Sequence, residues 1–170
     1  MWLFGHKKKK TEAEAILPEV KPPQHTKNVL LVVDGSQQSL DALSYGLGLA
    51  RAMDALLLAV YVVDTAMMDY LIQMRVILPE ERDEFRQEME KKGHRYLENA
   101  RLTAGLESVG IETKLVTGRF DSEIVGMVKE RDVNLVIMGG WKQSVHSQDA
   151  STKARQLLLD QVECPVAIIK

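Results

Sequence analysis

The strongest constraint on the fold is a run of apolar residues, Val29-Leu30-Leu31-Val32-Val33, that stops abruptly at Asp34-Gly35-Ser36. A strand with one wet face alternates apolar and polar residues. A continuous run needs cover on both faces, which helices packed on a parallel sheet provide. The Asp-Gly-Ser that ends the run is a turn and a helix start. Leu40, Leu43, Leu47 and Ala50 follow at helical spacing, so residues 37–53 carry an apolar face. Gly46 and Gly48 in that segment allow close packing on a sheet at some loss of helix propensity.

The same alternation continues along the chain. Ala55 to Val63 is a second buried run. Residues 65–78 hold Met67, Met68 and Met74 and read as a loop or short helix of adaptable packing. Pro79 suits the first turn of a long helix. Phe85, Met89, Tyr96, Leu97 and Ala100 form its stripe, and the charged residues from Glu80 to Glu84 read as its solvated face. Pairs such as Glu88 and Lys92 support it, and Gly110 stops it. Ile111 to Val116 alternates, as an edge strand does. Asp121 or Ser122 suits the cap of a helix carrying Ile124, Val125 and Val128. Val133 to Met138 is another buried strand and ends at Gly139-Gly140. A polar loop of about a dozen residues follows, long enough to hint at function. Ala154, Leu157, Leu158 and Val162 mark the last helix, and Pro165 to Ile169 the last strand. Strands alternating with helices call for an α/β fold: a parallel sheet with right-handed crossovers. The organisation expected is a flexible arm over residues 1–26, closed by Lys21-Pro22-Pro23, and one domain over 27–170.

Composition narrows the function classes. Net charge is -2, from 22 basic and 24 acidic residues, without the basic stripe that nucleic-acid binding favours. The lone cysteine, Cys164, excludes a disulfide within the chain and reads as packing. That usage points to the cytoplasm. No apolar stretch approaches the roughly 20 residues that span a bilayer. The Trp2-Leu3-Phe4 start followed by Lys7 to Lys10 has the charge on the wrong side for a signal peptide. It reads either as a solvated tail or as a short foot on an anionic membrane surface.

Ligands of open parallel sheets bind beyond the carboxyl ends of the strands, where strand order reverses. The candidate loops are Asp34-Gly35-Ser36, the segment after Val63, and residues 139–152. Gly139-Gly140 permits close backbone approach. Lys142, Ser144, His146, Ser147, Ser151, Thr152 and Lys153 then offer donors suited to a phosphate, or simply a solvated loop and a helix cap. Asp34 and Asp64 both end strands. They suit either a shared cation or caps for the turns that follow, and caps are the commoner use. His6, His25, His94 and His146 lack metal-ligand spacing, so no metal site is expected. There is no nucleophile elbow, no base partner for Cys164 and no Walker A lysine, so no catalytic residue is assigned. A phospho-receiver domain needs an acidic pair after its first strand and an aspartate ending its middle strand. Here those positions are Asp34-Gly35 and Gly118.

Val29 to Ser36 with Leu40-Asp41-Ala42-Leu43, then Asn134 to Gly139, then Cys164 to Ile169, resembles the universal stress protein family. The resemblance covers residues 27–170 and implies an open five-stranded parallel sheet in order 3-2-1-4-5 with helices on both faces. That fold is Rossmann-like, of the adenine nucleotide alpha hydrolase-like kind. The resemblance also implies a homodimer paired through the last strand, residues 165–170, and a non-catalytic stress-response role exerted on a protein partner not named by the sequence. ATP-binding members resemble Gly-x-x-Gly, nine further residues, then Gly-Ser or Gly-Thr. Here the positions are Gly139, Lys142, Thr152 and Lys153, so two of three glycines carry side chains instead. Side chains crowd a backbone cradle for phosphates, and the segment Ser151-Thr152-Lys153-Ala154-Arg155-Gln156-Leu157 resembles the branch without tight ATP binding. Val32, Asp34, Val62 and Met138 match positions that hold base and ribose, so the resemblance leaves ATP or AMP as candidate ligands.

Overall fold

A computed structural model describes residues 27–141 and 150–170. The expected arm over 1–26 lies outside the described residues, as does Lys142. In chain order the elements are β1 (Asn28–Val32), α1 (Gln37–Met53), β2 (Leu56–Asp64), α2 (Thr65–Gln73), a 3-10 turn (Pro79–Glu81) and α3 (Arg82–Leu106). They continue with β3 (Ile111–Gly118), α4 (Phe120–Glu130), β4 (Leu135–Gly139), α5 (Ala150–Gln161) and β5 (Val166–Ile169). The strands form one parallel sheet in the order β3-β2-β1-β4-β5. The reversal of direction falls between β1 and β4, and β3 lies at an edge, as its alternation requires.

Both faces of the central strands are buried, which explains their unbroken apolar runs. Val29, Leu31 and Val33 join Leu57, Ala59 and Tyr61 under α1 and α3. Leu30, Val32, Leu58 and Val60 face the other way, under α4 and α5 with Ile124 and Leu158. The period of two along each strand distributes one run between two cores. Asn134 fastens the start of β1: its Oδ1 accepts from the N–H groups of Lys27 and Asn28.

One open expectation resolves and three change. Residues 65–73 are helical, because the Asp64 carboxylate accepts from Ala66 N–H and caps α2. Pro79 opens a 3-10 turn, and α3 proper begins at Arg82. Neither Asp121 nor Ser122 caps α4. The N-cap is Arg119, and Asp121 sits buried in the first turn, where a carboxylate suits the helix dipole. Leu40 and Leu157 are exposed, so the buried stripes of α1 and α5 are narrower than apolar spacing suggests.

Candidate functional site

The crevice lies over the carboxyl ends of β1 and β2. Its walls are Val32, Val33 and Asp34 from the first strand and its turn, and Tyr61, Val62 and Asp64 from the second. Met67 of α2, Phe120 of α4, and Ser151, Ala154 and Arg155 of α5 complete it, enclosing about 230 Å³. Two larger hollows lie elsewhere. One, about 400 Å³, is at the opposite end of the strands around Asn134 and Cys164. The other, about 580 Å³, lies beside β5. Of these three hollows among the described residues, the crevice is the one that gathers strand-end carboxylates with apolar and aromatic walls, the composition expected of a ligand site.

The two strand-end carboxylates are engaged by their own turns. Gly35 adopts φ +79°, which turns the chain sharply after β1. Asp34 Oδ1 then accepts from Ser36 N–H at 2.9 Å, and the Asp34 N–H donates to Ser39 Oγ at 3.1 Å. Ser36 caps α1 by accepting from Ser39 N–H. Asp64 is committed to its cap on α2. The two strand-end aspartates therefore serve their turns, the commoner of the two uses their positions allow. Among the described residues no group of three or more His, Cys, Asp or Glu side chains is placed to hold a metal.

Tyr61 stands at the floor of the crevice. Burial, then the neighbouring Tyr96 and the Asp34 carboxylate, push its hydroxyl above the usual tyrosine range, so it stays protonated. The Tyr96 ring packs 6.1 Å from the Tyr61 ring and against Gly35.

Arg155 is a further residue of the crevice, outside those expected at the site. Its Nη2 donates to Asp34 Oδ2 at 2.9 Å, joining positions 121 residues apart. The guanidinium carbon lies 5.8 Å from the Phe120 ring centroid and 5.5 Å from that of Trp141. Both distances are within cation–π range. A signal for it existed: Ser151, Ala154, Arg155 and Leu158 fall on one helical face, so a cation interrupts the stripe that α5 buries.

Of the residues expected at the site, Val32, Asp34 and Val62 meet in the crevice. Met138, Gly139 and Thr152 do not line it. Met138 is buried in the core under α4 and α5. A Cβ on Gly139 would lie 2.7 Å from backbone atoms of Gln38 and Ser39, so its close approach is to α1. Gly140 N–H bonds Ile169 O, joining β4 to β5. Thr152 is in the first turn of α5, a helix that starts earlier than the apolar spacing suggested. The centre of the site thus moves from the β1–β4 junction toward β1 and β2. Cys164 is half-buried against the core, and burial raises its thiol pKa, consistent with packing.

Known proteins agree with this architecture. The model of the universal stress protein family matches residues 25–170. Universal stress protein YxiE of Bacillus subtilis is 31% identical over 149 residues, covering 84% of this chain and 97% of that protein. Universal stress protein UspA from Lactobacillus plantarum superposes with TM-score 0.68 at 19% identity, over 86% of this chain and 99% of that one. A family protein from Arabidopsis thaliana, solved with AMP bound, superposes with TM-score 0.57 at 20% identity, over 85% and 91% of the two chains. Matched along its whole described length by sequence and fold alike, the chain belongs to the universal stress protein family.

Proposed function

We propose that this chain is a non-catalytic, homodimeric regulatory protein of the cytoplasm that acts by binding a partner protein and does not hold ATP tightly. The engaged state of Asp34 carries this reading. One oxygen accepts from the Ser36 N–H and the other from Arg155, so a nucleotide hydroxyl or amine would have to compete with the Arg155 guanidinium for this carboxylate. The crevice, at about 230 Å³, is also below the roughly 300–1,000 Å³ usual for a ligand pocket. Thr152 places a side chain where the family's ATP pattern has glycine.

Pairing through β5 follows from edge chemistry. The strand ends the sheet with unpaired backbone groups and presents Ile168, 36% exposed, beside the hollow lined by Trp141 and Leu159. An uncovered apolar edge invites a second strand. An isologous pair of β5 strands covers both edges at once. Sedimentation of the full chain should give twice the monomer mass. Ile168→Asp should raise the dimer dissociation constant at least about thirtyfold, the effect of losing one central anchor. A monomeric wild type, or an unchanged dimer in the variant, contradicts the pairing.

A second reading has one specific observation in its favour. Val32, Asp34 and Val62 still form an apolar slot with a carboxylate at its mouth. The Arabidopsis neighbour was solved with AMP. On this reading the crevice takes an adenine mononucleotide, without a triphosphate cradle.

A further inference from the structure

We infer that Arg155 is the residue that sets the crevice's affinity: its head is an internal occupant that an adenine mononucleotide must displace. This rests on the mononucleotide reading above. The guanidinium is planar, lies over two aromatic rings, and directs an N–H at the Asp34 carboxylate. A purine with its exocyclic amine, or a ribose with its hydroxyls, needs the same kind of surface and the same acceptor. Occupant and ligand therefore compete for one carboxylate.

The arrangement is closed yet able to open. The Arg155 side chain is 16% exposed and that of Asp34 34%, so the pair is partly desolvated and its charge-assisted bond is strengthened. Against this, Arg155 Nε is buried with no hydrogen-bond partner among the described residues. A buried donor left unmade disfavours the closed state. The contact also bridges α5, the turn after β1, the start of α4 and Trp141 after β4. Its release would free the Asp34 and Phe120 walls together.

A site open for only part of the time binds with its intrinsic constant divided by the open fraction. A latch closed about nine-tenths of the time weakens binding about tenfold. Removing the head should restore that factor for neutral and charged ligands alike. Calorimetric titrations of wild type, Arg155→Ala and Arg155→Gln with adenosine and with AMP test this. The glutamine variant keeps a polar stem if alanine disturbs packing, and melting curves check that both are folded. The expected result is that both variants bind both ligands about tenfold more tightly than wild type. Equal affinity in all three proteins overturns the latch but leaves the mononucleotide reading standing. Weaker AMP binding with adenosine unchanged also overturns it, by making Arg155 a phosphate contact. Absence of binding in folded wild type and both folded variants overturns the latch and the mononucleotide reading together.

Discussion

Gly139→Val is expected to destabilise the protein by about 3 kcal/mol, against the ordinary preference of strands for β-branched residues. By propensity alone the change should be favourable, on a scale spanning about 1 kcal/mol. The added Cβ, however, would lie 2.7 Å from Gln38 C and from Ser39 N, which are backbone atoms of the first turn of α1. A flexible side chain would yield cheaply, but a capped helix turn does not. Ser36 caps that turn and Ser39 receives the Asp34 N–H, so moving it also disturbs the mouth of the crevice. In a chain of this size the loss should lower the melting temperature by about 10 °C. Thermal unfolding at fixed protein concentration checks it. An unchanged melting temperature would show that the β4–α1 contact has room the geometry denies.

Gly93→Val should be comparably severe, at about 3 kcal/mol, although glycine in mid-helix is usually an unfavourable residue. Relieving it gives up to about 1 kcal/mol in an open position. At Gly93 the new Cβ would stand 2.4 Å from Tyr61 Cδ1 and 2.8 Å from Leu115 Cδ1, so either the Tyr61 ring or α3 itself must shift. Overpacking of a tight helix–sheet contact outweighs the propensity gain. Gly105 on the same helix provides the control. A Cβ there meets nothing within 4 Å, and Gly105→Ala should stabilise by up to about 1 kcal/mol. Opposite signs from two glycines of one helix, measured by denaturant unfolding, would confirm that packing and not propensity decides at Gly93. Because Tyr61 also floors the crevice, Gly93→Val should disturb the site as well as the fold.

The central sheet was legible in the sequence because burial on two faces leaves a plain mark. The runs at Val29–Val33 and Val133–Met138 contain no polar alternation except Asn134, which fastens the start of β1. β3 was legible for the opposite reason: it alternates because it lies at an edge. The segment of α2 stayed between a loop and a short helix because its apolar residues surround it while only Met68 is buried, so no stripe forms. The dependable signal there was Asp64 as a cap. The site was half legible. Val32, Asp34 and Val62 belong to strand ends, whose convergence follows from topology. Arg155 was not legible as a site residue, because its partner is 121 residues away and a lone arginine in a helix is usually a solvated charge. The glycines misled in another way. Gly139 and Gly140 permit close approach, but the approaching groups are α1 and β5.

These features place the chain's distinctive chemistry at one contact. In the proposed account Asp34 and Arg155 hold the crevice closed, and the protein works through its surface and its β5 edge rather than through a bound triphosphate. The most direct test is isothermal titration of the full chain with ATP and magnesium, alongside a search for retained nucleotide by native mass spectrometry after gentle purification. No ATP binding in the micromolar range and no ATP carried through purification are expected. Micromolar ATP binding near one per chain, or ATP retained by the purified protein, would contradict it.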